Sequence, residues 1–198
     1  MKNYRSILEP NGYYHVYNRA NGSEKLFIKE TNYHYFMKLF KEYIHPIVEV
    51  YAYCLMPNHF HVLLKIKTTE ELNDYFAKAW VTKSRKSQSF TLERKITQQF
   101  SNFFNAYTKA FNIFYGRLGG LFISNYRRIK IESDSQFLNT IKYIHLNPVH
   151  TRISDLPENW DYSSYKAFIS NRSSLINKKY VINCFGDLDN FIFKHKTA

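Results

Sequence analysis

The chain of 198 residues is poor in cysteine: Cys54 and Cys184 lie far apart and form no CxxC pair. A disulfide framework and a cysteine zinc site are therefore not expected, and a reduced, cytoplasmic protein is. No apolar run approaches the roughly 20 residues that span a bilayer, so no membrane partner is expected. The opening residues, Met1-Lys2-Asn3-Tyr4-Arg5-Ser6, continue into polar sequence without the apolar core of a signal peptide. No internal repeat is present. Acidic residues are scarce: 16 Asp and Glu stand against 28 Lys and Arg, a net charge of +12 that favours a polyanionic partner. What is abundant is aromatic, with 17 Tyr and 17 Phe. Cations interleaved with rings suit single-stranded nucleic acid, where phosphates meet charge and bases stack. A Lys-rich surface over a Phe/Tyr-rich core is the alternative that composition leaves open.

Periodicity gives the order of elements. Residues 12–19 read as an aromatic, β-branched strand, followed by a turn at Asn21-Gly22-Ser23. Residues 31–44 read as a helix, because Tyr33, Phe36, Phe40, Tyr43 and Ile44 recur at spacings of three and four, and Pro46 stops it. Residues 47–55 and 59–66 read as strands joined by a tight turn at Pro57-Asn58, hence a hairpin. Residues 68–76 look helical and 82–95 read as a basic loop or insertion. A helix over 96–114 carries the stripe Ile96, Phe100, Phe103, Tyr107, Phe111, Phe114. A strand at 126–132 follows, then a helix opened by a Ser133/Gln136 capping box and ending near Asn147-Pro148. Hairpins mixed with helices imply an α+β domain, and β-α-β-β-α-β is the ferredoxin-like arrangement, an antiparallel sheet with helices packed on it. The expected domain spans residues 10–165, with 166–198 a C-terminal extension of unassigned structure.

Three constellations carry chemistry. His59-Phe60-His61 lies in a strand, so both imidazoles point to one face while Phe60, Val62, Leu64 and Ile66 fill the other. Two neutral imidazoles on one face are half of a metal site. The residues that follow, Val62-Leu63-Leu64, are not the acidic and histidine ligands of an HxHxDH zinc hydrolase. On the last helix Tyr143 and Asn147 are i and i+4 and share a face. A phenol is a competent nucleophile once activated, and an amide carbonyl can ligate a metal. His145 lies on a different face and is expected to be structural. Finally, Arg19, Arg117, Tyr126, Arg127, Arg128 and Lys130 flank these segments as candidate DNA contacts. Arg127 and Arg128 alternate faces, and the sequence does not choose between them.

The stretch Tyr51-Ala-Tyr-Cys-Leu-Met-Pro-Asn-His-Phe-His-Val-Leu-Leu64 resembles the signature of the single-tyrosine HUH transposases, in which U is a bulky hydrophobic residue. Tyr143-Ile-His-Leu-Asn-Pro-Val149 resembles their second block, in the branch called REP-associated tyrosine transposases. Tyr14-His-Val-Tyr-Asn-Arg19 and Gly119-Gly-Leu-Phe-Ile-Ser-Asn-Tyr-Arg-Arg128 agree with that branch in order. The resemblance implies a transposase and endonuclease for single-stranded, hairpin-forming DNA. Tyr143 would be the nucleophile, giving a 5′-phosphotyrosine link. His59, His61 and Asn147 would hold a divalent metal, Mg²⁺ or Mn²⁺. Many relatives carry Gln where Asn147 stands, residues 66–95 are longer and more basic than expected, and the tail has no counterpart. A homodimer and a monomer both fit the resemblance. The rivals are a non-catalytic or domesticated single-strand-binding protein on the same fold, and a phosphodiesterase using metal-bound water. The single-tyrosine reading makes one geometric demand: the helix of residues 134–147 must lie over the strand face that bears both histidines.

Overall fold

The computed structural model describes residues 4–79, 90–170 and 174–196. Four strands, β1 (Tyr13–Arg19), β2 (Val48–Met56), β3 (His59–Ile66) and β4 (Arg127–Ile131), form one sheet in the order β2-β3-β1-β4. Every neighbouring pair is antiparallel. The described helices are α1 (Glu30–Tyr43), α2 (Thr69–Ala79), α3 (Leu92–Tyr115), α4 (Asp134–His150), α5 (Tyr165–Phe168), α6 (Lys178–Phe185) and α7 (Leu188–Lys196). The architecture is α+β with helices on an antiparallel sheet, as the pattern of elements implies. None of the described helices is long and apolar enough to cross a membrane.

Alternation divides the sheet into two faces, each with its own apolar cluster. On one face Tyr14, Val16, Phe60, Val62, Leu64 and Ile66 meet α1 and α3. Phe36 of α1 is fully buried there, with the rings of Phe103, Tyr107, Phe27 and Phe60 at 4.9, 5.1, 5.2 and 5.2 Å. Truncating such a ring to Ala costs about 3–5 kcal/mol. On the other face Leu63 and Ile131 meet Phe137, Ile141 and Ile144 of α4. Strand β2 changes parity partway. Its register to β3 shifts between Val50 and Ala52, leaving Tyr51 as the extra residue. Val48 and Val50 therefore face α1, whereas Ala52, Cys54 and Met56 face α4. A strict period of two would have put all five on one side.

Several elements differ from the sequence expectation. Helix α3 starts at Leu92, with Thr91 Oγ1 accepting from the Arg94 N–H, so Leu92–Lys95 are helical rather than loop. Residues 80–89 of that expected loop lie outside the described residues. Phe114, counted in the α3 stripe, is 64% exposed and lies beside Lys29, and Phe104 is buried instead. Helix α4 continues through Asn147-Pro148 to His150. Pro148 lacks an N–H for the Ile144 carbonyl, but so near the helix end this loses one bond, and the Thr151 N–H still reaches the Asn147 carbonyl at 3.0 Å. In the expected capping box Ser133 accepts from the Gln136 N–H, while the Gln136 side chain reaches back to the Glu132 N–H. The tail is structured where described: Phe168, Ile176, Val181 and Phe191 join the cluster beneath α4.

Candidate active site

Helix α4 lies on the sheet face that bears His59 and His61, so the geometric demand is met within one chain. Asn147 Oδ1 is 3.0 Å from His59 Nε2. The Tyr143 ring sits edge-on to His61 with centroids 5.3 Å apart and is 44% exposed, open to a substrate. His59 and His61 stand 5.1 Å apart by ring centroids. These groups border a cleft of about 630 Å³. Its walls include Arg19, which pairs across the sheet with His59, together with Tyr17, Asn58 and Arg127.

His15 enters the site from β1. Its Nε2 is 2.9 Å from His61 Nδ1, and both rings are buried. Tyr17 completes an aromatic wall, 4.9 Å from His15 and 5.4 Å from His61. Burial lowers the His15 pKa to about 4. Burial also holds His61 well below the usual imidazole range, with the neighbouring His15 and His59 adding to the effect. His59 is lowered by burial and by the Arg19 charge, partly offset by its bond to Asn147. All three rings are therefore neutral at pH 7, the state that offers a lone pair.

His59 faces amide oxygens on both sides, Asn58 Oδ1 at 2.7 Å from Nδ1 and Asn147 Oδ1 at 3.0 Å from Nε2. A neutral imidazole has one N–H and can donate to only one of them. With Nδ1–H given to Asn58, the Nε2 and Asn147 lone pairs converge on the same space. Among the described residues no cluster of three or more His, Cys, Asp or Glu has metal-holding geometry. The donor set on this face is two imidazoles and an amide oxygen. It suits a divalent ion that completes its shell with water or phosphate oxygens.

The remaining sequence candidates separate. Arg127 projects into the cleft, with its guanidinium 5.3 Å from the Tyr4 ring. Arg128 is on the opposite face, where its Nε donates to the Ser6 carbonyl at 2.6 Å. Lys130 points the same way as Arg128 and pairs with Glu9 at 2.6 Å. Arg117 is held by Asn112 and Glu24 at 2.7 and 2.6 Å, outside the cleft. Tyr126 is buried against Phe100 and Phe104. The structure thus gathers Tyr143, His59, His61, Asn147, Arg19 and Arg127 and leaves Arg117, Tyr126, Arg128 and Lys130 elsewhere. His145, on the other side of α4, is fully buried and joins Ser164 Oγ at 2.7 Å and His195 Nε2 at 3.0 Å. His15 and Asn58 escaped the sequence reading. The signal for His15 was the alternation Tyr13, His15, Tyr17, but it acquires meaning only once β1 is known to pair with β3.

No protein-family model matches the chain, and no curated protein matches it. Among solved structures, the chain is similar to a REP-associated tyrosine transposase bound to a REP hairpin, with TM-score 0.56 and 14% identity. The match covers 89% of this chain and 94% of that one. At that identity the likeness shows a shared fold.

Proposed function

We propose that the protein is a metal-dependent transposase and endonuclease that cleaves and rejoins single-stranded DNA through Tyr143. The observation that carries this reading is the docking of α4 on the histidine face. One helix there sets a half-exposed tyrosine beside His61 and an amide oxygen against His59. The +12 charge, the cleft arginines Arg19 and Arg127, and a fold shared with a protein bound to a DNA hairpin support a hairpin-bearing single strand as substrate. One chain brings all four groups together.

The residues divide the work. Arg19 and Arg127 attract and orient the phosphate from the cleft walls. His59, His61 and Asn147 would hold the divalent ion, Mg²⁺ or Mn²⁺, with nitrogen donors favouring Mn²⁺. When bound, that ion supplies Lewis-acid polarisation of the scissile phosphate. Tyr143 Oη gives up its proton to solvent and attacks phosphorus. The P–O3′ bond breaks, the departing oxygen takes a proton as a 3′-hydroxyl, and the 5′-phosphate stays on the tyrosine. The link retains the phosphodiester bond energy, so a new 3′-hydroxyl can reverse the step without a nucleotide cofactor.

Incubation with labelled hairpin-bearing single strands and Mn²⁺, followed by a denaturing gel, tests this. The wild-type chain is expected to give a covalent protein–DNA band and Tyr143→Phe none, with strand binding retained. Cleavage without a band would instead assign a hydrolytic phosphodiesterase. Binding without cleavage would assign a non-catalytic strand-binding protein.

A further inference from the structure

Beside the active cleft runs a second groove of about 420 Å³, between α3 and the segment leading into β4. It lies on the α3 side of the sheet, and the two cavities share Asn18, Ile123 and Asn125 in their linings. Their chemistry differs. The active cleft is lined by Arg19 and Arg127, which suit phosphate. The second groove is edged by uncharged groups: Ser101, Asn105 and Thr108 project from one face of α3, spaced by four and three residues. Among the described residues its only lining cation, Arg128, donates to the Ser6 carbonyl. The floor is aromatic, with Phe122 half-buried over Phe104 at 5.0 Å and Tyr126 beneath.

Two further observations mark the groove. Asn125, which lines both cavities, has φ 63°, a left-handed conformation that asparagine adopts more readily than other non-glycine residues. The Tyr126 hydroxyl is buried without a hydrogen-bond partner. The Arg128 guanidinium lies over that ring, 5.0 Å from its centroid. Among the described residues the side chains of Asn105, Thr108 and Asn125 have no hydrogen-bond partner either, so their donors and acceptors face the groove and solvent.

We propose that this groove is a nucleobase subsite. It takes one base of the strand whose phosphate lies in the active cleft, with the base over the Phe122 floor and its edge read by Asn125, Asn105 and Thr108. Neutral side chains that both donate and accept hydrogen bonds read base edges, whereas phosphate draws cations. A flat aromatic floor under a neutral rim is how proteins hold an unstacked base. The inference rests on the single-strand reading above and adds a specificity site to it.

The test uses Tyr143→Phe protein, which retains the strand uncleaved, and a pool of hairpin-bearing single-stranded DNA with randomised unpaired flanks in Mn²⁺. Bound strands are recovered and sequenced. The expected result is a base preference at one position of roughly tenfold, the scale of a well-formed side-chain–base pair. That preference should collapse in Asn125→Gly, which keeps the left-handed backbone and removes the amide, and in Thr108→Val, which keeps the shape and removes the hydroxyl. Preferences elsewhere should stay. Thermal melts identify any variant that misfolds, and the helix-surface change Asn105→Ala provides a third arm. An unchanged preference in folded variants, or no preference in the parent, overturns the subsite. A pool that is not retained at all overturns the single-strand reading with it.

Discussion

Replacing His15 with Leu isolates what the third histidine does. The substitution keeps an apolar side chain of similar bulk between Tyr17 and Tyr143 and removes both ring nitrogens. His61 Nδ1 then loses its partner at 2.9 Å, in a place where His61 is 5% exposed and water is scarce. In the tautomer with the proton on His61 Nδ1, which leaves Nε2 free for a metal, that N–H donates to His15, and an unsatisfied buried donor costs about 1–3 kcal/mol. The ring can avoid that cost by moving its proton from Nδ1 to Nε2, the nitrogen that would otherwise offer a lone pair to a metal. Either route weakens ion binding. Partners that orient a ligating histidine are typically worth about 10- to 100-fold in metal affinity, or about 1.4–2.7 kcal/mol, within the same range. Calorimetric titration of Mn²⁺ into His15→Leu should therefore give a dissociation constant about 10- to 100-fold weaker than wild type, with metal-free strand binding unchanged. A folded His15→Leu protein whose Mn²⁺ affinity stays within about twofold would refute the coupling of His15 to His61.

Arg127→Ala should weaken single-strand binding and lower the slope of log affinity against log salt by about 0.7, one phosphate contact on a single strand, whereas Arg117→Ala and Lys130→Ala should leave the slope unchanged. A salt titration by fluorescence anisotropy reads this, and an unaltered slope for Arg127→Ala would remove that side chain from the phosphate path. Burial lowers the His195 pKa to about 4 against 6.5 for a solvated imidazole, with the Lys142 charge adding to it and the Phe191 carbonyl opposing it. Here the folded state binds fewer protons than the unfolded one. The His195 contribution to stability is complete above pH 6.5 and falls by up to about 3 kcal/mol as pH drops toward 4. His195→Phe should flatten that part of the melting-temperature profile, and an equally steep profile in the variant would rule out His195 as a source. Cys54 is fully buried and burial raises its thiol pKa, whereas Cys184 is exposed. A chromogenic disulfide reagent should titrate one thiol in the native chain and two after denaturation; two fast thiols in the native chain would contradict this packing.

Local periodicity determined a great deal. The period of two put His59 and His61 on one face, and Phe60, Val62, Leu64 and Ile66 on the other, because a strand cannot rotate one side chain without rotating the rest. The helical period put Tyr143 and Asn147 on one face. Each half of the candidate site was thus legible, as was the α+β class. What the sequence left open are relations between segments far apart in the chain. Arg127 and Arg128 were indistinguishable until β4 paired with β1 and put Arg127 on the α4 side. His15 looked like any strand histidine until β1 lay beside β3. The β2 bulge reverses parity at Tyr51 through a hydrogen-bond register that no run of residue types spells out. The tail had no distinctive pattern on its own, and Phe191 and His195 are buried because His145 of α4 and the rings of Tyr165 and Phe185 close around them. Side-chain alternation and helical pitch are properties of one segment's backbone and can be read residue by residue. Which face is covered, and by what, follows from burying all the apolar surfaces together, and that is decided only when the whole chain folds.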